Sequence, residues 1–258
     1  PTKVSQVKGS SPSMDNALYV GLSRQMTLRR ELDIVANNIA NADTTGFKAE
    51  SLMLEAAPRA PARTFGGPQP IKFVLDSGVA RDFTPGSLHK TEAPFDLGIE
   101  GMGFFKVTTA DGERYTRDGH FRMDDTGRVT TQGGQALLDE GGGEITVDPQ
   151  KGAVTIATDG TISQGAERIG KVAVVRFDTL SVLEKAGDNL YRNTSNAQPQ
   201  PAPDARVHQG MLESSNVKTV LEITRMMEVT RAYESMAKMM DSNADLSKRS
   251  IERLGKAQ

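Results

Sequence analysis

The sequence contains no cysteine and no tryptophan, and aromatic residues make up only 5% of it. The absence of cysteine excludes disulfides, thiol nucleophiles and thiolate metal sites. The scarcity of aromatic side chains leaves few large, rigid groups to build a deep ligand pocket. Three histidines, His89, His120 and His208, lie far apart along the chain. We therefore expect no catalytic residue, no cofactor, no metal site and no small-molecule substrate.

An excess of one charge is also lacking, because 31 lysines and arginines nearly balance 33 aspartates and glutamates. Without a global basic field to attract phosphates, we expect no nucleic-acid partner. The apolar runs all fall short of the ~18 residues of a membrane-spanning helix, so we also expect no transmembrane segment. At 258 residues, the chain has room for one large domain or two modest ones.

The first 13 residues are polar and precede Met14, so we interpret residues 1–13 as a tag remnant or an upstream extension. Lys3 and Lys8 are not followed by an apolar segment or by a small-residue cleavage site. We therefore do not expect a conventional secretory signal peptide.

Helical periodicity marks both ends of the chain. Between Asp15 and Asn41, apolar residues recur at helical steps, and the turn that follows ends at Gly46, which can adopt a positive φ. The period returns from about Ser215 to Leu254, where ~1.5 Å per residue gives a helix about 60 Å long. Such a length is typical of a coiled coil or a helical assembly. The apolar stripes comprise Leu18, Leu22, Leu28, Leu32, Val35 and Ile39 in the first helix, and Val220, Ile223, Met226, Met227, Tyr233, Met236 and Met240 in the second.

The middle of the chain differs from both ends. Six prolines interrupt residues 49–94, which predict an extended connector with a short strand at 71–75. Residues 95–205 hold short alternating or apolar runs separated by glycine turns, a pattern typical of a compact antiparallel sandwich or barrel. Asp-Gly pairs favour β-hairpins, and they begin at Asp111, Asp118 and Asp159.

These segments together predict an α+β fold. The segments 14–48 and 206–258 pair as a coiled-coil-like terminal domain, and the all-β domain of residues 95–205 is inserted between them. Two paired helices alone leave apolar surface uncovered on both, so we expect packing between subunits. Six of the 11 methionines follow residue 210, and methionine suits adaptable interfaces. The alternative is that these methionines fill the core of the helix pair.

Three motifs indicate a family. The run Leu32–Lys48 resembles the N-terminal signature of the bacterial flagellar rod and hook protein family, and Gln209–Val217 followed by Glu228–Glu234 resembles its C-terminal signature. Between them, Phe95–Phe105 and Tyr115–Gly119 are similar to the β-domain motif of the family. The motifs occur in the expected order, and the resemblance covers nearly all of the chain after the first 13 residues.

Within the family, both ends of the chain resemble most closely the F-type subunits of the proximal rod. The opening that carries this resemblance is Asn16–Gln25, and the ending is Leu246–Gly255. The G-type subunit of the distal rod is the nearest alternative, although its opening differs. The hook protein ranks third because its middle region is normally longer.

The resemblance implies a structural subunit that polymerises helically into the rod, which is a periplasmic drive shaft and an export channel in the flagellar basal body. It implies that the partners are further copies, other rod proteins and the type III export apparatus. Helical tubes use heterologous contacts that do not close into a ring. We expect the assembly interface to include the two apolar stripes together with Asn37, Asn38, Asn41, Gly46 and Phe47. Local capping of the helix end is the alternative role of the asparagines.

Two other patterns could suggest nucleotide binding or catalysis, but both indications are weak. Gly98, Gly101 and Gly103 have the spacing GxxGxG and continue into a strand, so they indicate close backbone packing or a bulge rather than nucleotide binding. Asp118 and His120 lie two residues apart, but no serine nucleophile motif or paired metal ligand accompanies them. The remaining alternative is a secreted β-domain binding module with helical arms, which predicts a concave site of polar and aromatic residues.

Overall fold

The computed structural model describes residues 12–56 and 74–255. Of the predicted extension at residues 1–13, only 12 and 13 are described, and they begin the first helix. Among the described residues, eighteen strands lie in sequence between two long helices, α1 (Pro12–Ala40) and α2 (Thr219–Gly255), so the predicted α+β fold class is confirmed. The strands are β1 (Glu50–Ala56), β2 (Val74–Arg81), β3 (Leu88–Lys90), β4 (Leu97–Glu100), β5 (Phe104–Thr109), β6 (Gly112–Thr116), β7 (Phe121–Met123), β8 (Val129–Thr131), β9 (Ala136–Leu137), β10 (Val154–Ile156), β11 (Thr161–Gln164), β12 (Glu167–Lys171), β13 (Val174–Arg176), β14 (Leu183–Lys185), β15 (Leu190–Asn193), β16 (Gln200–Pro201), β17 (Arg206–Gln209) and β18 (Met211–Glu213).

The chain divides into two compact units, a helical unit and a β unit. The β unit extends beyond the predicted domain of residues 95–205, because β3 pairs with β18 and β4 pairs with β17. The predicted connector at 49–94 contains β1, β2 and β3. The strand expected at 71–75 lies outside the described residues except at 74 and 75, where β2 begins. The helical unit comprises the chain up to Asn37, Ser51–Val79 and the chain from Val220 onward, and the β unit comprises Asn38–Glu50 and Ala80–Thr219.

In the helical unit, α1 and α2 lie side by side and run antiparallel. A Cβ atom added at Gly21 would lie 3.4 Å from Cγ of Met240. Further along α1, Glu31 Oε1 accepts hydrogen bonds from Nε and Nη2 of Arg225 at 3.0 and 2.5 Å. The order of these contacts along the two helices requires opposite directions. Within the described residues, neither helix combines the length and the apolarity needed to cross a membrane.

The β unit is built on one large sheet and several smaller ones. The large sheet has the strand order β14-β15-β6-β5-β9-β8-β7, and β13 pairs with both β5 and β16. The three-stranded sheet β10-β11-β12 and the pairs β4–β17 and β3–β18 complete the unit. Inward-facing apolar side chains from these strands form one core around Phe105, Val107, Leu137, Ile162 and Val172. This core gives the loops of the β unit a folded scaffold.

The Asp-Gly pairs have two different outcomes. Asp111-Gly112 connects the paired strands β5 and β6, and Asp159-Gly160 connects β10 and β11, so both hairpin predictions are confirmed. The prediction at Asp118-Gly119 is wrong, because β6 and β7 on either side pair with other strands. Gly119 instead crosses Leu97 so closely that an added Cβ would lie 1.6 Å from the Leu97 carbonyl oxygen. Close packing, rather than a turn, therefore requires glycine there.

Close packing also accounts for the motif of Gly98, Gly101 and Gly103. The strand β5 follows the motif directly. An added Cβ would lie 2.6 Å from Leu88 Cδ2 at Gly98, and 2.8 Å from Val174 Cγ1 at Gly103. The packing interpretation is confirmed at these two positions.

A second, smaller core gathers aromatic rings. The rings of Tyr115 and Phe177 meet edge to face with centroids 4.8 Å apart, and those of Phe83 and Tyr191 meet at 5.3 Å. Phe104 lies within 6.2 Å of three of these rings. Burial raises the pKa of Tyr115 and of Tyr191 to about 12. These five aromatic side chains are thus used for packing.

Candidate functional site

The N-terminal signature leaves α1 through a hydrogen-bonded turn. The Asn41 side chain accepts a hydrogen bond from Thr44 Oγ1 at 3.1 Å, which supports the local-capping alternative for this asparagine. Asn38 reaches further, because its side chain donates to the Glu50 carbonyl at 2.8 Å and accepts from the Glu50 amide at 2.9 Å. Gly46 closes the turn with φ at +65°, so the predicted positive φ is confirmed.

The turn packs tightly against the rest of the β unit, to which it belongs. The Gly46 amide donates to the Glu213 carbonyl at 2.8 Å. An added Cβ on Gly46 would lie 2.5 Å from the carbonyl carbon of Arg117, so only glycine fits. Asn189 donates from its side chain to the Thr45 carbonyl at 2.7 Å. The turn is therefore held by three separate segments of the β unit.

A buried ion centre lies directly behind this turn. Glu213 accepts from Lys48 Nζ through Oε1 and from Arg117 Nε through Oε2, each at 2.6 Å. The Gly86 amide also donates to Oε1 at 2.7 Å, and Lys48 donates to the Thr84 carbonyl at 2.9 Å. The three charged side chains are at most 2% exposed. Burial lowers the pKa of Lys48, and the Glu213 carboxylate opposes that effect.

The Asn216 side chain also connects the segment after α1 to the segment before α2. The Asn216 side chain accepts from the Ala49 amide at 2.8 Å and donates to the carbonyls of Asp82 and Thr84 at 2.7 and 3.0 Å. Nearby, Glu50 pairs with Arg81 at 2.9 Å. The segment after α1 and the segment before α2 are thus fastened together inside the β unit. We define Lys48, Arg117 and Glu213 as the ion centre. We define the ion centre, together with the turn that ends at Gly46 and the contacts of Asn216, as the signature junction.

The predicted interface residues fall into three groups by exposure. The side chain of Leu18 lies outside the described residues. Buried positions are already covered within the chain, so their side chains have little surface to offer a neighbouring subunit, whereas exposed positions remain open to one. Interface membership stays a prediction for all of them. Buried are Leu28, Val35, Asn38, Gly46 and Phe47; half-buried are Leu32, Ile39, Asn41, Met226, Tyr233, Met236 and Met240; exposed are Leu22, Asn37, Val220, Ile223 and Met227.

Sequence reasoning missed the ion centre. Lys48 and Glu213 each lie within a signature motif, and a charge beside apolar neighbours such as Phe47 and Leu212 is the signal that was available. The two partners are 165 residues apart, however, and nothing local indicates which charges meet. Arg117 was equally visible inside its motif, but its four hydrogen-bond partners lie on other segments.

Asp118 and His120 lie beside the junction. The His120 amide donates to Asp118 Oδ1 at 3.0 Å, and its ring nitrogen Nδ1 lies 2.8 Å from Asp96 Oδ1. Burial raises the pKa of Asp118. Among the described residues, no three histidine, aspartate or glutamate side chains are grouped as a metal site requires. These contacts fix the chain crossing next to Arg117.

Comparison with known proteins gives this geometry a context. Three family descriptions match the chain: "Flagella basal body rod protein" at residues 18–48, "Flagellar hook protein FlgE/F/G D1 domain" at 98–164, and "Flagellar basal body rod FlgEFG protein C-terminal" at 208–253. Lys48 lies in the first matched segment, Arg117 in the second and Glu213 in the third. The ion centre therefore joins all three.

Curated relatives match along nearly the whole chain. The flagellar basal-body rod protein FlgF of Caulobacter vibrioides is 62% identical, covering 94% of this chain and 99% of the relative. FlgF of Escherichia coli is 32% identical, covering 90% and 95%. FlgG of Bacillus subtilis is 31% identical, covering 90% and 97%.

The fold, the junction of the three matched segments and these relatives define a structural protein of the flagellar rod and hook class. The chain belongs to the flagellar basal-body rod protein family, in its F-type branch.

Proposed function

We propose that the chain is a structural subunit of the flagellar basal-body rod, and that it polymerises helically with copies of itself and with other rod proteins. In this proposal the rod is the periplasmic drive shaft and export channel, and the type III export apparatus delivers the subunit. The subunit performs no catalysis and binds no nucleic acid. The F-type and G-type names of its relatives support a place in the rod.

Exposed apolar side chains on both helices carry this proposal. On α1, Tyr19, Leu22 and Met26 are exposed at helical spacing, and Met26 is 66% exposed. On α2, Val220 and Met227 are exposed with Ile223 between them, and Val220 is 77% exposed. Residues three and four apart share one helix face, so each set forms a stripe. Contiguous exposed apolar surface marks an interaction site.

The energies favour contact with several neighbours rather than one. Burying one large apolar side chain contributes ~1.5–3 kcal/mol, whereas association costs ~4–15 kcal/mol in lost freedom. A single three-residue stripe therefore contributes ~4.5–9 kcal/mol, which leaves little or no surplus over the cost of association. Stripes on both helices that contact different neighbours stabilise a helical lattice, in which heterologous contacts repeat without closing.

The binding-module alternative is supported less well. It requires a concave site with polar and aromatic side chains. One cleft of about 540 Å³ opens on the β unit beside Thr108, Arg128 and Gln135. Its lining contains no aromatic side chain, and Arg128 is already paired with Asp124 at 3.0 Å. A polar cleft without a stacking surface is a weak binding site for a sugar or a peptide.

The native absence of cysteine allows a clean test of the rod proposal. A single Met227→Cys substitution places the only thiol of the chain on the exposed α2 stripe. We expect this thiol to react rapidly with a maleimide in the monomer and to be protected in isolated basal bodies. Val107→Cys, at a fully buried position, provides the unreactive baseline. Rapid labelling of Met227→Cys within basal bodies would refute burial of the stripe, and absence of the protein from them would refute the proposal itself.

A further inference from the structure

Arg117 connects the ion centre to a distant loop of the β unit. Its Nε atom donates to Glu213, while Nη1 donates to the carbonyls of Gly101 and Gly103 at 3.0 and 2.8 Å. Its Nη2 atom donates to the Ile99 carbonyl at 3.2 Å. We define residues 101–103, between β4 and β5, as the Met102 loop. One side chain therefore binds both the carboxylate of the C-terminal signature and the backbone of this loop.

The loop presents an apolar side chain to solvent. Met102 is 49% exposed. It lies between Gly101 and Gly103, which both have a positive φ. The strands β4 and β5 on either side pair with other strands, so the loop is not closed by a hairpin ladder. Between the paired residues Glu100 and Phe104, Arg117 donates hydrogen bonds to the backbone carbonyls of Gly101 and Gly103.

The position of Arg117 depends in turn on Glu213. The guanidinium group cannot lose its proton in a protein, so a buried Arg117 needs a negative partner. Among the described residues, Glu213 is the carboxylate that forms an ion pair with Arg117. If that charge were removed, Lys48 could become neutral by deprotonation, but Arg117 could only move toward water. Such a movement withdraws its hydrogen bonds from the loop.

Glu213 is held in turn by the N-terminal signature. Lys48 binds its carboxylate, and the Gly46 amide binds its backbone carbonyl. The contacts therefore run from the N-terminal signature, through Glu213 and Arg117, to the Met102 loop.

We propose that the ion centre is a conformational relay, in which the Met102 loop is ordered only while Glu213 is docked on Arg117. A subunit in which Glu213 contacts Arg117 presents Met102 as a fixed apolar contact. A subunit in which this contact is broken does not. The consequence for assembly rests on the proposed function. The relay itself is a property of the single chain and is tested on the monomer.

Backbone ¹⁵N relaxation of the monomeric full chain tests the relay. In the unaltered protein, we expect order parameters near ~0.85 at residues 101–103, the value of rigid backbone. Glu213→Gln keeps the shape of the side chain but removes its charge, and should lower these values below ~0.6. Lys48→Met leaves the Arg117–Glu213 pair in place, so the loop should stay ordered.

The matched control is Glu50→Gln. Glu50 also lies in the docked N-terminal segment and pairs with Arg81, but its ion pairs do not include Arg117. An ordered Met102 loop in folded Glu213→Gln protein would overturn the relay. Equal loosening in Glu50→Gln would overturn it as well, because the effect would then be general.

A variant of the arginine keeps the test decisive if Glu213→Gln does not fold. Arg117→Lys keeps a cation beside Glu213 but lacks the Nη1 and Nη2 donors that bind the carbonyls of Ile99, Gly101 and Gly103. We expect reduced order at residues 101–103 in this variant too. Unchanged order in folded Arg117→Lys protein would overturn the relay, whatever the outcome of the rod-assembly experiment.

Discussion

Gly46 is a position where one added carbon atom should have a large effect on the signature junction. Its φ of +65° disfavours an L-residue by ~1–2 kcal/mol. The added Cβ of Gly46→Ala would also lie 2.5–2.6 Å from three backbone atoms of Arg117 and Asp118. Overpacking of this kind costs ~1–3 kcal/mol, and loss of the hydrogen bond to Glu213 adds about 1 kcal/mol. We therefore expect Gly46→Ala to lower the free energy of unfolding of the β unit by ~3–6 kcal/mol.

The control separates backbone strain from steric clash. Gly165 has nearly the same φ, +62°, but an added Cβ there meets nothing within 4 Å. Gly165→Ala should thus cost only ~1–2 kcal/mol. Urea denaturation followed by near-ultraviolet circular dichroism, which reports on buried Tyr115 and Tyr191, measures both variants. Equal losses for the two substitutions would refute the close fit of Gly46 against Arg117.

Three further substitutions test other parts of the molecule. Glu213→Gln should lower the free energy of unfolding by ~3–5 kcal/mol, because it leaves two buried cations without a carboxylate. Adding Lys48→Met should restore part of that free energy in a double-mutant cycle measured by urea denaturation. Strictly additive losses would show that the two groups do not interact. Burial raises the pKa of Tyr191 from 10.0 to about 12. Between these values the folded state keeps a proton that the unfolded state releases, so the free energy of unfolding falls as the pH rises. The contribution of neutral Tyr191 to stability is therefore complete below pH 10 and is lost as the pH rises toward 12. The unfolding midpoint should therefore fall less steeply above pH 10 in Tyr191→Phe than in the unaltered protein, and identical slopes would contradict the assignment. Met227→Asp should prevent rod assembly without changing the melting of the β unit, whereas Glu234→Asp, also exposed on α2, should assemble normally; normal motility with Met227→Asp would show that this stripe is not buried in the rod.

Local sequence signals predict the helices well. The apolar period from Asp15 to Asn41 corresponds to α1, and the period from about Ser215 to Leu254 corresponds to α2 (Thr219–Gly255). Both signals arise from side chains three or four residues apart, so they do not depend on the rest of the chain. The positive φ at Gly46 is equally local, because the turn after the helix requires it.

Non-local contacts explain what the sequence does not reveal. Asp118-Gly119 has the same local pattern as the two true hairpin turns, but its glycine is required by the approach of Leu97, twenty-two residues earlier. The boundaries of the β unit depend on the pairing of β3 with β18 and of β4 with β17. The ion centre joins Lys48 to Glu213 across 165 residues. The composition of one segment carries no record of such partners.

Imaging in the cell is the most direct measurement of whether this chain is a rod subunit. A tagged, assembly-competent copy should restore motility to a strain that lacks the protein. Electron cryotomography of that strain should then place the tag on the axis of the basal body, within the periplasmic rod. A tag found anywhere other than on that axis would contradict the proposed function.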